Sequence, residues 1–552
     1  MAQRTGIQLS VNIYERRDFG SLGPKGCNMC GGVISESLVQ ALLLEGIELP
    51  PEVVQRGLDS FKFYSEQETV SLHAPAHEMR IATIYRGAGP LKDTGSKWRS
   101  FDGYLLETAQ ASGATIINDR VMDITWADAK PQVHTKDGQS RVYDLVVGAI
   151  GVNTPSLSLF EKLGVGYNPP STRKTSNMEF KLGADFINAN LGNCMHAFLI
   201  DLPKLDFSAI IPKGEHATLC LIGDEINSNF VNHFMKNPAV SKCLAGKNDG
   251  NSAVCRCAPL SSLGDATHPY GDRVVLLGDC SMSRLNKDGL GSAYRVAKIA
   301  ASTALFKGIS EKDFRSGYWP VCQAIRTDNR YGKLIYRAVG LIKKSRLLTR
   351  SVMRMARHEQ KMPGKQRWMS SVLWDIFTGS SSYRDVMMRC LRPGFWSRLI
   401  WNIVESIFTG PMTEDKAVKS GPEVPMDKST LGRDYHAGDV IVQQGDDGEC
   451  MYIVQSGQAE ALDYKDGQEV QIGLLKKNDI FGEMSIVRKE RRAATVRALT
   501  DMRILTIDKK IFLRRVHEDP SFVFVILQKM SNRIQGLNDE LVRVKSDSSQ
   551  TI

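Results

Sequence analysis

The change of pattern near residue 430 constrains this chain more than any other feature. Upstream, to about residue 330, short β-type runs alternate with helical stretches, the rhythm of an α/β architecture. From Gly432 onward the runs shorten and glycines punctuate them, as in Tyr435-His-Ala-Gly438-Asp-Val-Ile441-Val-Gln-Gln-Gly445, where the backbone must turn tightly between strands. Met451 to Val454 reads as a buried strand ending near Gly457. A helical tail follows from Phe512 to Val542, with Phe512, Val516, Phe522, Ile526, Met530 and Ile534 near helical spacing. One chain therefore carries two folds.

A length of 552 residues accommodates two or three domains. The eleven cysteines are scattered and the N-terminus has no secretory apolar stretch, so the expected compartment is reducing and cytoplasmic. Cys27-Asn-Met-Cys30 is a lone CxxC without a second pair, and no metal site is expected. No apolar run approaches the roughly 18 residues that would span a bilayer. The net charge of +10 is concentrated. Residues 330–398 hold sixteen Lys and Arg against Glu359, Asp375 and Asp385, so that segment alone carries +13.

Phe481-Gly482-Glu483-Met484-Ser485 followed by Arg492-Ala493-Ala494-Thr-Val496 resembles the phosphate-binding cassette of cyclic-nucleotide-binding domains. Protein kinase A regulatory subunits and catabolite-activator-type regulators carry such domains, and the spacing of nine from Glu483 to Arg492 is the family's. The resemblance implies a β-roll with C-terminal helices. It assigns Arg492 to the cyclic phosphate, which a guanidinium can meet with two parallel hydrogen bonds. Backbone N–H groups from Gly482 through Met484 to Ser485 would add donors without charge, facing Ala493 and Ala494. Glu483 would hold the ribose 2′-hydroxyl. Ala493 stands where cGMP-preferring members tend to carry Thr or Ser, so the implied ligand is cAMP. No helix-turn-helix follows before Ile552, and direct DNA binding is not expected.

The first 330 residues hold a second set of motifs. Ile7 to Glu15 alternates with period two and ends in an acid; Arg141 to Asn153 runs from an apolar stretch into Gly148 and Gly151; Arg273 to Ala293 passes through Gly278-Asp279 to Gly289 and Gly291. Their order resembles the FAD enzymes of the flavoprotein-monooxygenase and geranylgeranyl-reductase group. The implied fold is a Rossmann-like, glutathione-reductase-type FAD domain with a β-rich substrate subdomain. Glu15 would hold the adenosine ribose, Asp279 the ribityl chain, and Gly289 and Gly291 would open a helix toward flavin or pyrophosphate. Arg99 belongs to Trp98-Arg-Ser-Phe-Asp102, similar to a helix start of the same group. Cys30-Gly31-Gly32 falls where geranylgeranyl reductases carry a Cys-Gly segment near the isoalloxazine, and Phe207 to Gly214 falls where they carry Y-x-W-x-F-P, although Phe207 and Ala209 replace the group's Tyr and Trp. Such enzymes begin with a strand, GxGxxG and a helix roughly 20 residues before the ribose acid. Glu15 leaves no room for them, so the expectation is either a start upstream of Met1 or a lost hold on FAD, and poor FAD binding by the chain as given. Catalytic residues are not assigned: Asp288, Cys30 and Asp328-Asn329 read equally as structural.

The expected domains are an oxidoreductase-like unit over 1–330, a basic helical segment over 331–412, a linker over 413–430 and the cyclic-nucleotide unit over 431–545. The basic helices are tryptophan-studded, which leaves three readings open: helices packed on the flavoprotein unit, peripheral contact with an anionic membrane, or nucleic-acid binding. Two functions follow. In one, cAMP gates a fused FAD-dependent oxidoreductase with a lipid or isoprenoid substrate. In the other, a non-enzymatic cAMP sensor keeps a degenerate flavoprotein scaffold.

Overall fold

A computed structural model describes residues 1–28, 31–74, 78–91, 98–246, 250–361, 367–410, 431–465, 468–488 and 490–518, with single positions between 527 and 538. In chain order, the elements the site depends on begin with β1 (Asn12–Tyr14), α1 (Glu36–Leu44), β2 (Ser60–Tyr64), β3 (Thr69–His73), α2 (Phe101–Ala111), β4 (Thr115–Ile117) and β5 (Val146–Gly148). Then come β6 (Thr172–Lys181), β7 (Cys194–Phe198), β8 (Leu205–Lys213), β9 (His216–Gly223), β10 (Cys255–Cys257), β11 (Tyr270–Gly271), β12 (Val274–Leu276) and α3 (Gly289–Phe306).

A mixed sheet ordered β10-β6-β9-β8-β7-β2-β3 forms the centre, extended where Leu260–Ser262 also pairs with β6. Its pairs are antiparallel except β7 with β2. Strand β8 is apolar on both faces because both are covered. Ile210 packs with Leu219, Leu221, Val231 and Phe234 on one side. Ala209 and Ile211 face Phe61, Phe63, Met353 and Ile376 on the other.

The nucleotide-type half is divided. Strand β1 pairs in parallel with β4, and β5 pairs in parallel with β12, which continues to β11. Among the described residues no strand hydrogen-bonds β1 to β5. Tyr143 links the pieces instead, accepting from the Asn12 amide at 2.9 Å and sharing a 2.6 Å hydrogen bond with the Tyr14 hydroxyl.

Helices α4 (Trp319–Lys344), α5 (Arg346–Gln360), α6 (Trp368–Thr378), α7 (Tyr383–Cys390) and α8 (Pro393–Phe408) complete this unit. Here the expected boundary at residue 330 is corrected: α4 runs through it without a break, starting under a proline in its first turn. The basic segment is also not a separate body. Val352, Met355, Ala356, Val372, Tyr383 and Val386 share a core with the sheet residues Phe61, Phe63 and Leu72, so the inner helix faces pack on the sheet. Their periodicity left that partner unspecified, because the apolar stripe is equally suited to any apolar surface.

The C-terminal unit comprises β13 (Arg433–Tyr435), β14 (Val440–Val442), β15 (Cys450–Ser456), β16 (Ala459–Lys465), β17 (Gln468–Leu475), β18 (Ile480–Phe481), α9 (Glu483–Arg488), β19 (Thr495–Ala498), β20 (Met502–Asp508) and α10 (Lys509–Glu518). Two four-stranded antiparallel sheets, β13-β20-β15-β18 and β14-β19-β16-β17, close on Val442, Val454, Leu475, Phe481, Val496 and Ile504. The expected linker at 413–430 and most of the expected tail helix, Phe522 and Ile526 included, lie outside the described residues. Met530 and Ile534 of that tail are exposed.

Candidate functional site

The cassette is assembled around one buried arginine. Gly482 follows the last residue of β18 with φ near +79°, a backbone state that favours glycine, and turns the chain into α9. A Cβ there would lie 2.5 Å from Arg492 Nη1, so the turn also closes on the guanidinium. Arg492 Nη1 donates to the Gly482 carbonyl at 3.0 Å and to Ser485 Oγ at 3.1 Å, while Nη2 donates to the Cys450 carbonyl at 2.8 Å. The guanidinium also lies 5.5 Å from the Tyr452 ring centre. Burial, with the Cys450 hydrogen bond, raises the pKa of Tyr452 above the usual phenol range, so it stays a neutral wall. On the far side, Arg492 N donates to the Asp446 carbonyl and Gly445 N to the Arg492 carbonyl, pinning this loop to the turn before β15.

The structure places the predicted cassette residues as follows. Gly482, Glu483, Met484 and Ser485 open α9, Ser485 is buried against Arg492, and Met484 and Ala493 are exposed with Ala494 partly so. Cys450, Tyr452 and Gly448 were not anticipated. A Cβ at Gly448 would come within 2.4 Å of the Ser485 side chain, so this glycine lets the loop approach α9. The sequence signal was the Asp446-Asp447-Gly448 turn ahead of a buried strand. The arrangement is a fixed cation beside backbone donors in a β-lined recess, which suits a compact anion.

The second group of predicted residues is only partly gathered. Gly278 and Asp279 follow β12, and an Oδ1 of Asp279 lies 3.8 Å from where a Gly289 Cβ would stand, so these two face each other. Gly148 ends β5 against the Phe160 ring, 2.7 Å from the ideal Cβ, and its carbonyl accepts from Leu277 N; Gly151 follows in open space. Glu15 closes β1, but its Oε1 accepts from Arg17 N. Arg99 stands apart: its exposed guanidinium pairs with Glu107 and lies 5.0 Å from the Tyr104 ring centre, on the flank of α2.

A carboxylate with no role assigned from the sequence fills the start of α3. Asp288 Oδ1 lies 2.1 Å from the ideal Cβ of Gly291 and accepts from Ser35 Oγ at 2.6 Å, while Oδ2 pairs with Arg295 at 3.3 Å and Arg284 at 3.5 Å. The expected opening of that helix toward a phosphate or flavin is thus held by a protein carboxylate. Asn329 bridges Leu285 N and the Ser283 carbonyl, and Asp328 accepts from Arg384 N, which makes both structural staples. Cys30 lies outside the described residues. Gly31 and Gly32 lie against β8: a Gly32 Cβ would be 2.6 Å from Lys213 Nζ, whose buried ammonium sits 3.2 Å from Glu179 and 4.9 Å from the Tyr85 ring centre. Taken as a test for FAD, Asp279 facing Gly289 fits. The filled helix start, the engaged Glu15 and Arg99, and the unlinked β1 and β5 do not. The described residues therefore do not complete an FAD site. No group of three or more metal-ligating side chains occurs among the described residues.

The two units share a core. Met451, Ile453, Leu505 and Ile507 cover the outer face of the first roll sheet, and with Ile486 of α9 and Ile511 and Phe512 of α10 they pack on Ile34, Leu38, Val39 and Leu42 around α1. Met79 and Gly432 exchange two backbone hydrogen bonds across the junction. Arg80 at the seam donates to Glu36 at 2.6 Å and Glu78 at 2.9 Å and lies 3.6 Å from Asp508. Burial alone would lower the pKa of Arg80. The carboxylates of Glu78, Glu36 and Asp508 outweigh it and hold the guanidinium charged. Glu78 also accepts from Thr506 N at 2.7 Å, and Gln40 donates to Asp508 at 3.0 Å.

Residues 432–519 match the family described as the cyclic nucleotide-binding domain. Among curated proteins, the cAMP-dependent protein kinase regulatory subunit of Schizosaccharomyces pombe is 39% identical over 80 residues, which is 14% of this chain and 19% of that protein. That of Hypocrea atroviridis is 40% identical over 77 residues, 14% of this chain and 16% of that one. The chain thus matches less than a fifth of the length of these relatives. A crystal structure of a flavoprotein/dehydrogenase from Cytophaga hutchinsonii superposes with a TM-score of 0.50 at 13% identity, covering 73% of this chain and 95% of that one. That likeness concerns fold. The chain therefore joins a flavoprotein-like N-terminal fold to a C-terminal cyclic nucleotide-binding domain.

Proposed function

We propose that this protein is a receptor for a cyclic nucleotide, with cAMP preferred over cGMP, whose occupancy is transmitted to the flavoprotein-like unit through the core around α1. The observation that carries the reading is the buried Arg492, held by the Gly482 and Cys450 carbonyls and Ser485 at the mouth of α9. A buried guanidinium whose neighbours are neutral acceptors keeps its full charge for an incoming monoanion. Glu483 would take the ribose hydroxyl, and the small Ala493 offers no hydroxyl to a guanine amino group.

For the N-terminal unit, the superposed fold supports an oxidoreductase gated by the nucleotide. The Asp288 carboxylate at the start of α3 favours the second reading, a scaffold that no longer grips FAD. Isothermal titration of the full chain with cAMP and cGMP tests the receptor; cAMP is expected to bind more tightly and to raise the melting temperature. Absence of heat and of any thermal shift with either nucleotide would overturn it. The visible flavin band of the purified chain, before and after incubation with FAD, separates the two readings of the other half.

A further inference from the structure

Helix α8 is built inside out. Its buried face carries Phe395, Asn402 and Ser406, whereas Trp396, Ile400, Trp401, Val404, Ile407 and Phe408 are each between 43 and 82% exposed. At about 100° per residue, these six side chains fall within one arc of about 140°, centred opposite the buried face. Ser397 shares that arc, and no charged side chain interrupts it. The acid of the helix, Glu405, turns to a flank and lies 3.9 Å from both Arg354 and His358. A contiguous apolar face of this kind on a folded surface marks an interface.

The chemistry of its surroundings selects the occupant. Met388 and Leu391, both exposed, extend the apolar surface where α7 leads into α8. Exposed Arg384 and Arg392 flank this stretch. On α4, exposed Leu334 and Leu341 alternate with exposed Arg337 and Lys344 at spacings of three and four, again with cation and apolar residue on one side. These helices overlap the 330–398 segment that carries +13, and the ten residues of α8 beyond it add only Glu405. A second copy of the same face would bring like charge to like charge, whereas an anionic bilayer surface offers headgroups to the cations and acyl chains to the rings. At 16 residues α8 is about 24 Å long. No described helix is long and apolar enough to cross a membrane.

We infer that α8 is a membrane-surface helix, which seats the molecule on anionic lipid with Trp396, Trp401 and Phe408 in the headgroup–acyl boundary. The inference is independent of the nucleotide reading, since it uses none of the same residues. It is tested by co-sedimentation of the full chain with vesicles of phosphatidylcholine alone and of phosphatidylcholine with about 30% phosphatidylserine. Pelleting is expected with the anionic vesicles, falling as salt rises because the attraction is screened. Trp401→Ser with Phe408→Ser is expected to weaken it by about tenfold or more. Lys344→Gln with Arg392→Gln should reduce it while leaving circular dichroism and nucleotide binding unchanged. Failure to pellet with anionic vesicles would overturn the inference. So would equal pelleting with both lipids, unfolding of the Trp401/Phe408 variant, or a wild-type dimer that this variant returns to monomer.

Discussion

Replacing Arg492 by lysine keeps the charge and removes the fork, which separates the two jobs the cassette geometry gives this residue. The guanidinium makes three short hydrogen bonds to neutral oxygen acceptors, at 3.0, 3.1 and 2.8 Å, that diverge from two nitrogens, and a longer one to Cys450 Sγ at 3.5 Å. A lysine ammonium on one flexible stem can reach one of these positions at a time. Hydrogen bonds from a charged donor contribute about 1.5–3 kcal/mol each, and relaxation of the loop recovers part of two losses, so Arg492→Lys should cost about 2–3 kcal/mol of folding free energy. The phosphate, on the proposed reading, loses one of two parallel bonds. At about 1.4 kcal/mol per tenfold, that predicts a ten- to hundredfold weaker affinity for cAMP. Urea unfolding followed at the C-terminal unit gives the first quantity and isothermal titration the second. A variant with unchanged affinity would refute the argument whatever its stability, because it would place the phosphate away from this arginine. A variant with lost affinity and unchanged stability would refute the account of the cradle.

Three further outcomes follow from buried groups. Arg80→Met leaves the buried Glu36 and Glu78 without their cation and should cost about 3–5 kcal/mol, read as a lower urea midpoint and faster proteolysis at the junction; Glu36→Gln in the same chain should recover part of it. His196 is fully enclosed, with Nε2 donating to the Leu191 carbonyl at 3.1 Å and Nδ1 accepting from Tyr64 at 2.7 Å, and burial lowers its pKa to about 4. The unfolded chain therefore binds a proton first, so the contribution of His196 is complete above about pH 6.5 and is lost as pH falls toward 4, by about 3 kcal/mol. In His196→Gln the slope of stability between pH 7 and 4.5 should flatten. Gly32→Ala sets a Cβ 2.2 Å from the Ile84 carbonyl at a φ near +68° and should lower the melting temperature by an amount equivalent to about 2 kcal/mol or more.

What the sequence disclosed divides by the range of the interaction. The cassette was legible because its parts lie within about a dozen residues: a glycine at a turn, a short helix and an arginine folding back on it. The α/β alternation and the roll were legible because strand period and turn glycines are local. The boundary at residue 330 was not, since composition changes there while the helical backbone of α4 does not. Arg99 matched a motif, yet its guanidinium found Glu107 and Tyr104 on the helix that follows it, α2, partners that a motif cannot rank against a distant ligand. Asp288 was noted without a role. Its partners Ser35 and Arg295 lie 253 and 7 positions away, and only the fold brings the first to it. The seam at Arg80 was invisible for the same reason, since Glu36, Glu78 and Asp508 have no common spacing.

That seam decides how the two halves can communicate. Arg492 holds the Gly482 carbonyl and Ser485, the first turn of α9, and an anion arriving at the cassette competes for the same donors. Any consequent rotation of α9 moves Ile486, which is 2% exposed and belongs to the core shared with Leu38, Val39 and Leu42 of α1. Such a core does not deform smoothly; it repacks between discrete arrangements. Ser35 caps the start of α1 and donates to Asp288 at the start of α3, so a displacement of α1 reaches the region where the flavoprotein-like unit would meet a ligand. On the proposed reading the path is three contacts long: Arg492 to α9, α9 to α1, α1 to Asp288. Because coupling between binding equilibria is reciprocal, it can be read from either end. Whatever factor cAMP imposes on a ligand of the N-terminal unit, that ligand must impose on cAMP. Substituting Ile486 by alanine should diminish both factors together, whereas a change in one alone would break the path.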